Sequence, residues 1–180
     1  MEPRTRVHIL IAAVLAGCAF TALPASARVL MSQKDALAVA FPSAKPERRT
    51  AFLTDAQAKA AEALASAKLE SKVWTYYVAG STAAYFESHL VRTMNETVMV
   101  VVGADAKVAF VEILSFSEPD DYLASKRWLG QLPGRELDDD LALRRGLRGI
   151  AGATLTAEAV ARAVRRVLAV HQVLNAQSAK

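Results

Sequence analysis

Two hydroxyls and a run of small residues stand together at Arg148-Gly149-Ile150-Ala151-Gly152-Ala153-Thr154-Leu155-Thr156, directly ahead of an amphipathic segment. In that segment Val160, Val164, Val167, Val170, His171 and Leu174 recur on one side of a 3.6-residue period, and Arg162, Arg165 and Arg166 fall mostly away from the stripe. The pattern predicts a helix with Thr156 as its N-cap and Glu158 in its first turn. The first N–H groups of a helix lack intrahelical partners and sit at the positive end of its dipole, so this is a place to hold a phosphate. Gly152, flanked by Ala151 and Ala153, lets a bulky anion approach the backbone, and Thr154 is placed at the mouth. The same residues also suit a plain helix start, with Thr154 an ordinary loop residue.

The elements that must position this stretch alternate between two periods. Ser32 to Phe41 reads as a short helix, with Asp35 at cap spacing from Ser32 and Pro42 as a stop. Thr54 to Lys68 reads as an Ala-rich helix with a capping box from Thr54 to Gln57. Between them, Pro42 to Arg49 reads as a polar connector. From Val73 the period becomes strand-like, over 73–79, 83–87, 96–102 and 107–116, with turns at Gly80-Ser81 and Gly103 to Ala106. The run Val98 to Val102 is apolar on both faces and predicts a central strand. Helices on either side of a block of strands predict an α+β fold, an antiparallel sheet with N-terminal helices and a C-terminal helix whose N-terminus faces the phosphate site. The expected division is a signal peptide at 1–27, a helical segment at 28–72 and the core domain at 73–180.

Ala151-Gly152-Ala153-Thr154-Leu155-Thr156 resembles the Ser/Thr-Gly-Ala-Thr signature of the FMN-binding domain family, found in the flavin subunits of the Rnf and Na⁺-translocating NADH:quinone oxidoreductase complexes. Ser115-Phe116-Ser117-Glu118-Pro119 sits where that family has a His-Ser-Glu-Thr-Pro-like loop, and Trp128 to Arg135 is similar to its aromatic-x-x-Gln-aromatic-x-Gly-Lys element. The resemblance spans roughly residues 73–175. It implies FMN joined by a phosphoester to Thr154 and installed by a separate flavin transferase. Arg148 and Ala151 depart from it: many members have an acidic residue and a Ser or Thr there.

A flavin needs an anchor for its phosphate, a planar apolar slot and a few polar groups at the ring edge. The expected binding residues are Thr154, Gly152, Ala153, Leu155 and Thr156 at the anchor, and Ser117 and Glu118 at the polar edge. Leu155, Leu123 or Trp128 is expected to wall the ring. His89 and His171 read as structural, and Asp138-Asp139-Asp140 as a solvated helix start before Leu141.

Arg4 and Arg6 precede an apolar run from Ile9 to Leu23 that ends in Ala25-Ser26-Ala27, the pattern of a secretory signal cleaved before Arg28. Export to the periplasm is therefore expected. The alternative is a lipid anchor on Cys18, since Leu15-Ala16-Gly17-Cys18 resembles a lipobox. Cys18 is the only cysteine among 180 residues, so cleavage after Ala27 leaves no thiol for a disulfide or a metal. A net charge of +4 with interleaved signs gives no footprint for nucleic acid. The chain has no nucleophile elbow, phosphate-binding Walker loop or HExxH helix. An exported FMN-binding electron carrier fits best, with redox proteins as partners, a membrane electron-transfer complex among them. The rival is a binding or assembly module of an envelope redox complex that has lost the flavin, and a third reading is a flavin reductase acting on a small substrate.

Overall fold

The computed structural model describes residues 28–178; the expected export leader and Cys18 lie outside them. Six strands form one antiparallel sheet in the order β1-β6-β5-β4-β3-β2. They are β1 (Arg28–Val29), β2 (Glu47–Phe52), β3 (Val73–Ala79), β4 (Thr82–Leu90), β5 (Asn95–Val102) and β6 (Val108–Phe116). Around them lie α1 (Gln33–Ala40), α2 (Asp55–Ala65), α3 (Lys126–Leu129) and α4 (Thr154–Ser178). The α+β class read from the sequence is the observed one.

Local chemistry explains most boundaries. Ser32 accepts the Asp35 N–H at the start of α1, and Thr54 and Gln57 form the reciprocal capping box of α2. The β3–β4 hairpin turns through Gly80 at φ +59°, the conformation a two-residue loop demands. The segment between α1 and α2, read as a connector, instead continues into β2, which pairs with β3 from Glu47↔Val78 to Phe52↔Val73. Its residues are nearly all exposed, so the apolar periodicity that announces a strand is missing. The 28–72 segment thus supplies two edge strands as well as two helices.

The central strand β5 buries both faces. Val98, Val100 and Val102 face α4 together with Ala83 and Tyr85 of β4, and Met99 and Val101 face α1 together with Ala84 and Leu114. The partner strand β6 keeps this allegiance only by irregularity. Its register to β5 slips between Thr97 and Val98 and again between Val101 and Val102. Two bulged residues let Val108, Val111, Ile113 and Phe116 share one face despite their uneven spacing.

Across that face runs α4, with Val160, Val164, Val167 and Val170 fully buried. The arginines, expected mostly away from the stripe, divide among three environments. Arg162 is exposed and pairs with Glu158, but Arg166 is buried at 4 % exposure against Glu87. Arg165 reaches across to α2, donating through Nε to the Ala65 carbonyl at 2.7 Å and through Nη2 to Leu64 at 3.4 Å, and it also bonds the Asp138 carbonyl. It thereby satisfies carbonyls that the end of α2 leaves open. Asp138 starts no helix: its Oδ1 accepts the N–H groups of Asp140 and Leu141 in a tight turn, and 136–153 is irregular.

Val164 has no exposed surface, so Val164→Asp places a carboxylate in the core. Thermal unfolding is expected to show a loss of several kcal/mol, enough to unfold a marginal domain. A variant melting like wild type would mean that α4 does not pack on the sheet through this stripe.

Candidate flavin site

The start of α4 differs from the sequence expectation by three residues. Ala157 N–H donates to the Ala153 carbonyl at 3.1 Å, so the cap position falls on Ala153 and Thr154 is the first helical residue. Thr156 caps nothing; it sits in the first turn at 1 % exposure. The chain enters through a turn in which Ala153 N–H donates to Ile150 at 3.2 Å, with Gly152 at φ +80°. That angle is what the third position of a type II turn requires, and it suits glycine. A Cβ at Gly152 would meet nothing within 4 Å, so the glycine serves backbone conformation and opens no cradle.

These residues form one wall of a cavity of about 290 Å³, near the lower end of small-molecule sites. Gly152, Ala153, Thr154, Leu155 and Thr156 come from the α4 start, Val91 and Arg92 from the β4–β5 turn, Glu118 from the exit of β6, and Tyr122 from the 3₁₀ turn at 120–122. Thr154 is exposed, and its Oγ1 donates to the Ile150 carbonyl over a long 3.4 Å. Leu155 is half exposed, and Tyr122 lies across from it as a second partly exposed apolar wall.

Glu118 is brought to the site, but its carboxylate is already committed. Oε1 accepts the Thr93 N–H at 2.8 Å, the Met94 N–H at 3.0 Å and the Thr93 hydroxyl at 3.3 Å. Those bonds, the Thr93 N–H foremost, hold its carboxyl below the usual range. Glu118 therefore fixes the turn that carries Val91 and Arg92. Ser117 does not reach the cavity; its N–H donates to the Asn95 carbonyl at 3.1 Å, closing the β5–β6 edge. Leu123 and Trp128 do not wall the cavity either. Trp128 is buried and its Nε1 donates to the Arg148 carbonyl at 2.6 Å, holding the loop that leads to Gly152. Val91, Arg92 and Tyr122 were missed in the sequence. Only the acidic pair Asp120-Asp121 ahead of Tyr122 marks a turn there, and nothing local marks Val91 and Arg92 as neighbours of residue 154.

A file of buried charges joins α4 to β4 and β5. Arg166 Nε donates to Glu87 Oε1 at 2.6 Å, Glu87 Oε2 meets His89 Nδ1 at 2.8 Å, and His89 Nε2 meets Glu96 Oε2 at 3.0 Å. Glu87, His89 and Val91 alternate along one face of the chain, so the file ends beside a cavity wall. With a carboxylate at each nitrogen, the ring is held as an imidazolium. Burial alone would lower its pKa, but hydrogen bonds to Glu87 and Glu96 prevail and push it up to about 9. Desolvation pushes the Glu96 carboxyl up as well. His171 accepts a different role, bonding the Tyr85 hydroxyl at 3.0 Å from the C-terminal part of α4. Both histidines are thus held in buried side-chain hydrogen bonds, and no group of three metal-ligating side chains occurs among the described residues.

Residues 94–169 match the family model of the FMN-binding domain. No curated protein and no solved structure matches the chain.

Two outcomes follow from this site. Glu118→Ala leaves the N–H groups of Thr93 and Met94 unpaired and is expected to cost about 1–3 kcal/mol in denaturant unfolding; no loss would mean the turn is held by other contacts. His89, raised from 6.5 to about 9, contributes stability fully present below pH 6.5 and lost as pH rises through 9. Glu96, also raised, acts in the same direction. Unfolding free energy is expected to fall across that interval, and a His89→Asn variant should flatten the fall.

Proposed function

We propose, on the premise that this chain belongs to the FMN-binding domain family, that it carries its FMN through a phosphoester on Thr154 and relays electrons between redox proteins outside the inner membrane. One observation carries the attachment site: both threonines of the motif line the cavity, but Thr154 is exposed to an incoming enzyme and Thr156 is only 1 % exposed. The weak bond from Thr154 Oγ1 to Ile150 costs little to give up.

The residues present fit the group. The N–H groups of the first turn, at Thr154, Leu155 and Thr156, have no intrahelical acceptor and face the phosphate position. Arg92 brings a cation to the same cavity, and its guanidinium meets no carboxylate among the described residues. Val91, Tyr122 and Leu155 offer apolar surface to a flat ring. Glu118 holds the rim, and Gly152 at φ +80° gives the turn that delivers Thr154 to the cavity. Bound FMN supplies reversible two-electron chemistry coupled to protons. A covalent tether suits an exported carrier, because it replaces a dilute free cofactor by a very high effective concentration. The basic start and Ala25-Ser26-Ala27 support export, and a flavin transferase is the partner that the resemblance implies for installing the FMN.

Mass spectrometry of the chain produced with a flavin transferase tests the assignment. Wild type and Thr156→Ala are expected to gain the mass of FMN less water, and Thr154→Ala to gain nothing. An adduct retained in Thr154→Ala overturns the attachment site.

A further inference from the structure

A second hollow lies on the other side of the loop that enters α4. It is an open groove of about 640 Å³ walled by Arg127, Arg135 and Arg148, with Trp128, Gln131 and Gly146 among its other lining residues and no carboxylate in its wall. It is a built feature. Gln131 Oε1 accepts the Arg148 N–H at 3.0 Å, Trp128 Nε1 donates to the Arg148 carbonyl, and Arg135 donates through Nη2 to the Gly146 carbonyl at 2.6 Å and through Nε to Gln131 at 3.2 Å. Gly146 is required there, because a Cβ would fall 2.5 Å from the Asp140 carbonyl and 2.8 Å from Arg135 Nη1. The main chain is thus clamped while Arg127 and Arg148 stay exposed. Among the described residues none of the three arginines forms an ion pair, whereas neighbouring cations do: Lys107 with Glu136 and Arg145 with Asp139.

Three guanidiniums without counter-charges leave a concentrated positive field on one face, and arginine is the side chain best suited to planar, bidentate contact with carboxylates. The groove and the flavin cavity share the loop at 148–153 as a common wall, so whatever docks in one lies beside the other. We propose that this groove is the docking face for an acidic redox protein that exchanges electrons with the flavin. The proposal rests on the flavin reading above for the exchange, but the docking itself does not require a loaded cofactor. The groove is too open to desolvate a small anion, which favours a carboxylate-bearing protein surface over a free phosphate.

The test has two arms on the full chain. In the first, a Glu-rich peptide is titrated into the protein without flavin. Binding is expected to weaken roughly tenfold in Arg127→Glu/Arg148→Glu and with rising salt. It should hold in Lys34→Glu/Lys45→Glu, which makes the same change in net charge on and beside α1, across the sheet. In the second, the reduced flavoprotein is oxidised by ferricyanide or by hexaammineruthenium(III), each ion accepting one electron as the reduced flavin releases two electrons and its protons. The groove variant is expected to slow ferricyanide and speed the ruthenium complex, and the α1-side variant to leave their ratio near wild type. Equal effects of the two variants in either arm overturn the proposal, since net charge alone then acts. So does saturation by low-millimolar inorganic phosphate that excludes the peptide, which would make the groove a small-anion site. A chain without flavin absorbance defeats the electron-carrier reading and the exchange claim, and the peptide arm still decides the docking face.

Discussion

The packing of α4 on the sheet is the constraint from which the site follows. A 25-residue helix hides a row of valines against β4, β5 and β6, and its first turn must then emerge beside the β4–β5 turn and the exit of β6. Val91, Arg92, Glu118 and Thr154 are scattered over more than 60 positions of sequence, yet this one contact makes them neighbours. The position of the helix start matters as much as its face. Beginning at Thr154, it leaves that threonine exposed and buries Thr156 in the first turn.

Burying Arg166, Glu87, His89 and Glu96 beneath that helix is costly, since each ion gives up water. Their alternation along the file leaves no net charge, and each carboxylate meets at least one cation. Removing a single member leaves an uncompensated charge, a heavier penalty than replacing the whole file by apolar side chains. The file thus specifies how the helix is seated on the sheet more than it adds to stability.

What could be read in the sequence was what repeats locally. The caps at Ser32 and Thr54, the strand at 73–79, the doubly buried run at Val98 and the valine stripe of α4 all declare themselves through period or spacing, and the structure places them as expected. The misreadings share a cause. β2 is a polar edge strand whose partner lies more than 20 residues away, Arg166 pairs with a residue 79 positions distant, and Tyr122 and Arg92 reach the cavity only through the fold. Thr156 looked like a cap because it is a capping residue type in a plausible place; the turn at Ile150–Ala153 started the helix earlier. The glycine turn before Thr154 was legible because a positive φ and a helix start are local properties of backbone.

The two bulges of β6 have a consequence for how this domain tolerates change in length. Each adds one residue that the opposing strand does not match, and each reverses which side of the sheet the following residues face. A single-residue deletion at Ala109 or Leu114 would therefore not merely shorten the strand. It would turn over everything between that point and the next irregularity, sending valines to the wrong layer or drawing Phe116 out of the core with Ser117 and Glu118 behind it. Insertions and deletions in this domain should thus collect in the irregular stretch at 136–147, and β6 should hold its length even where its side chains drift.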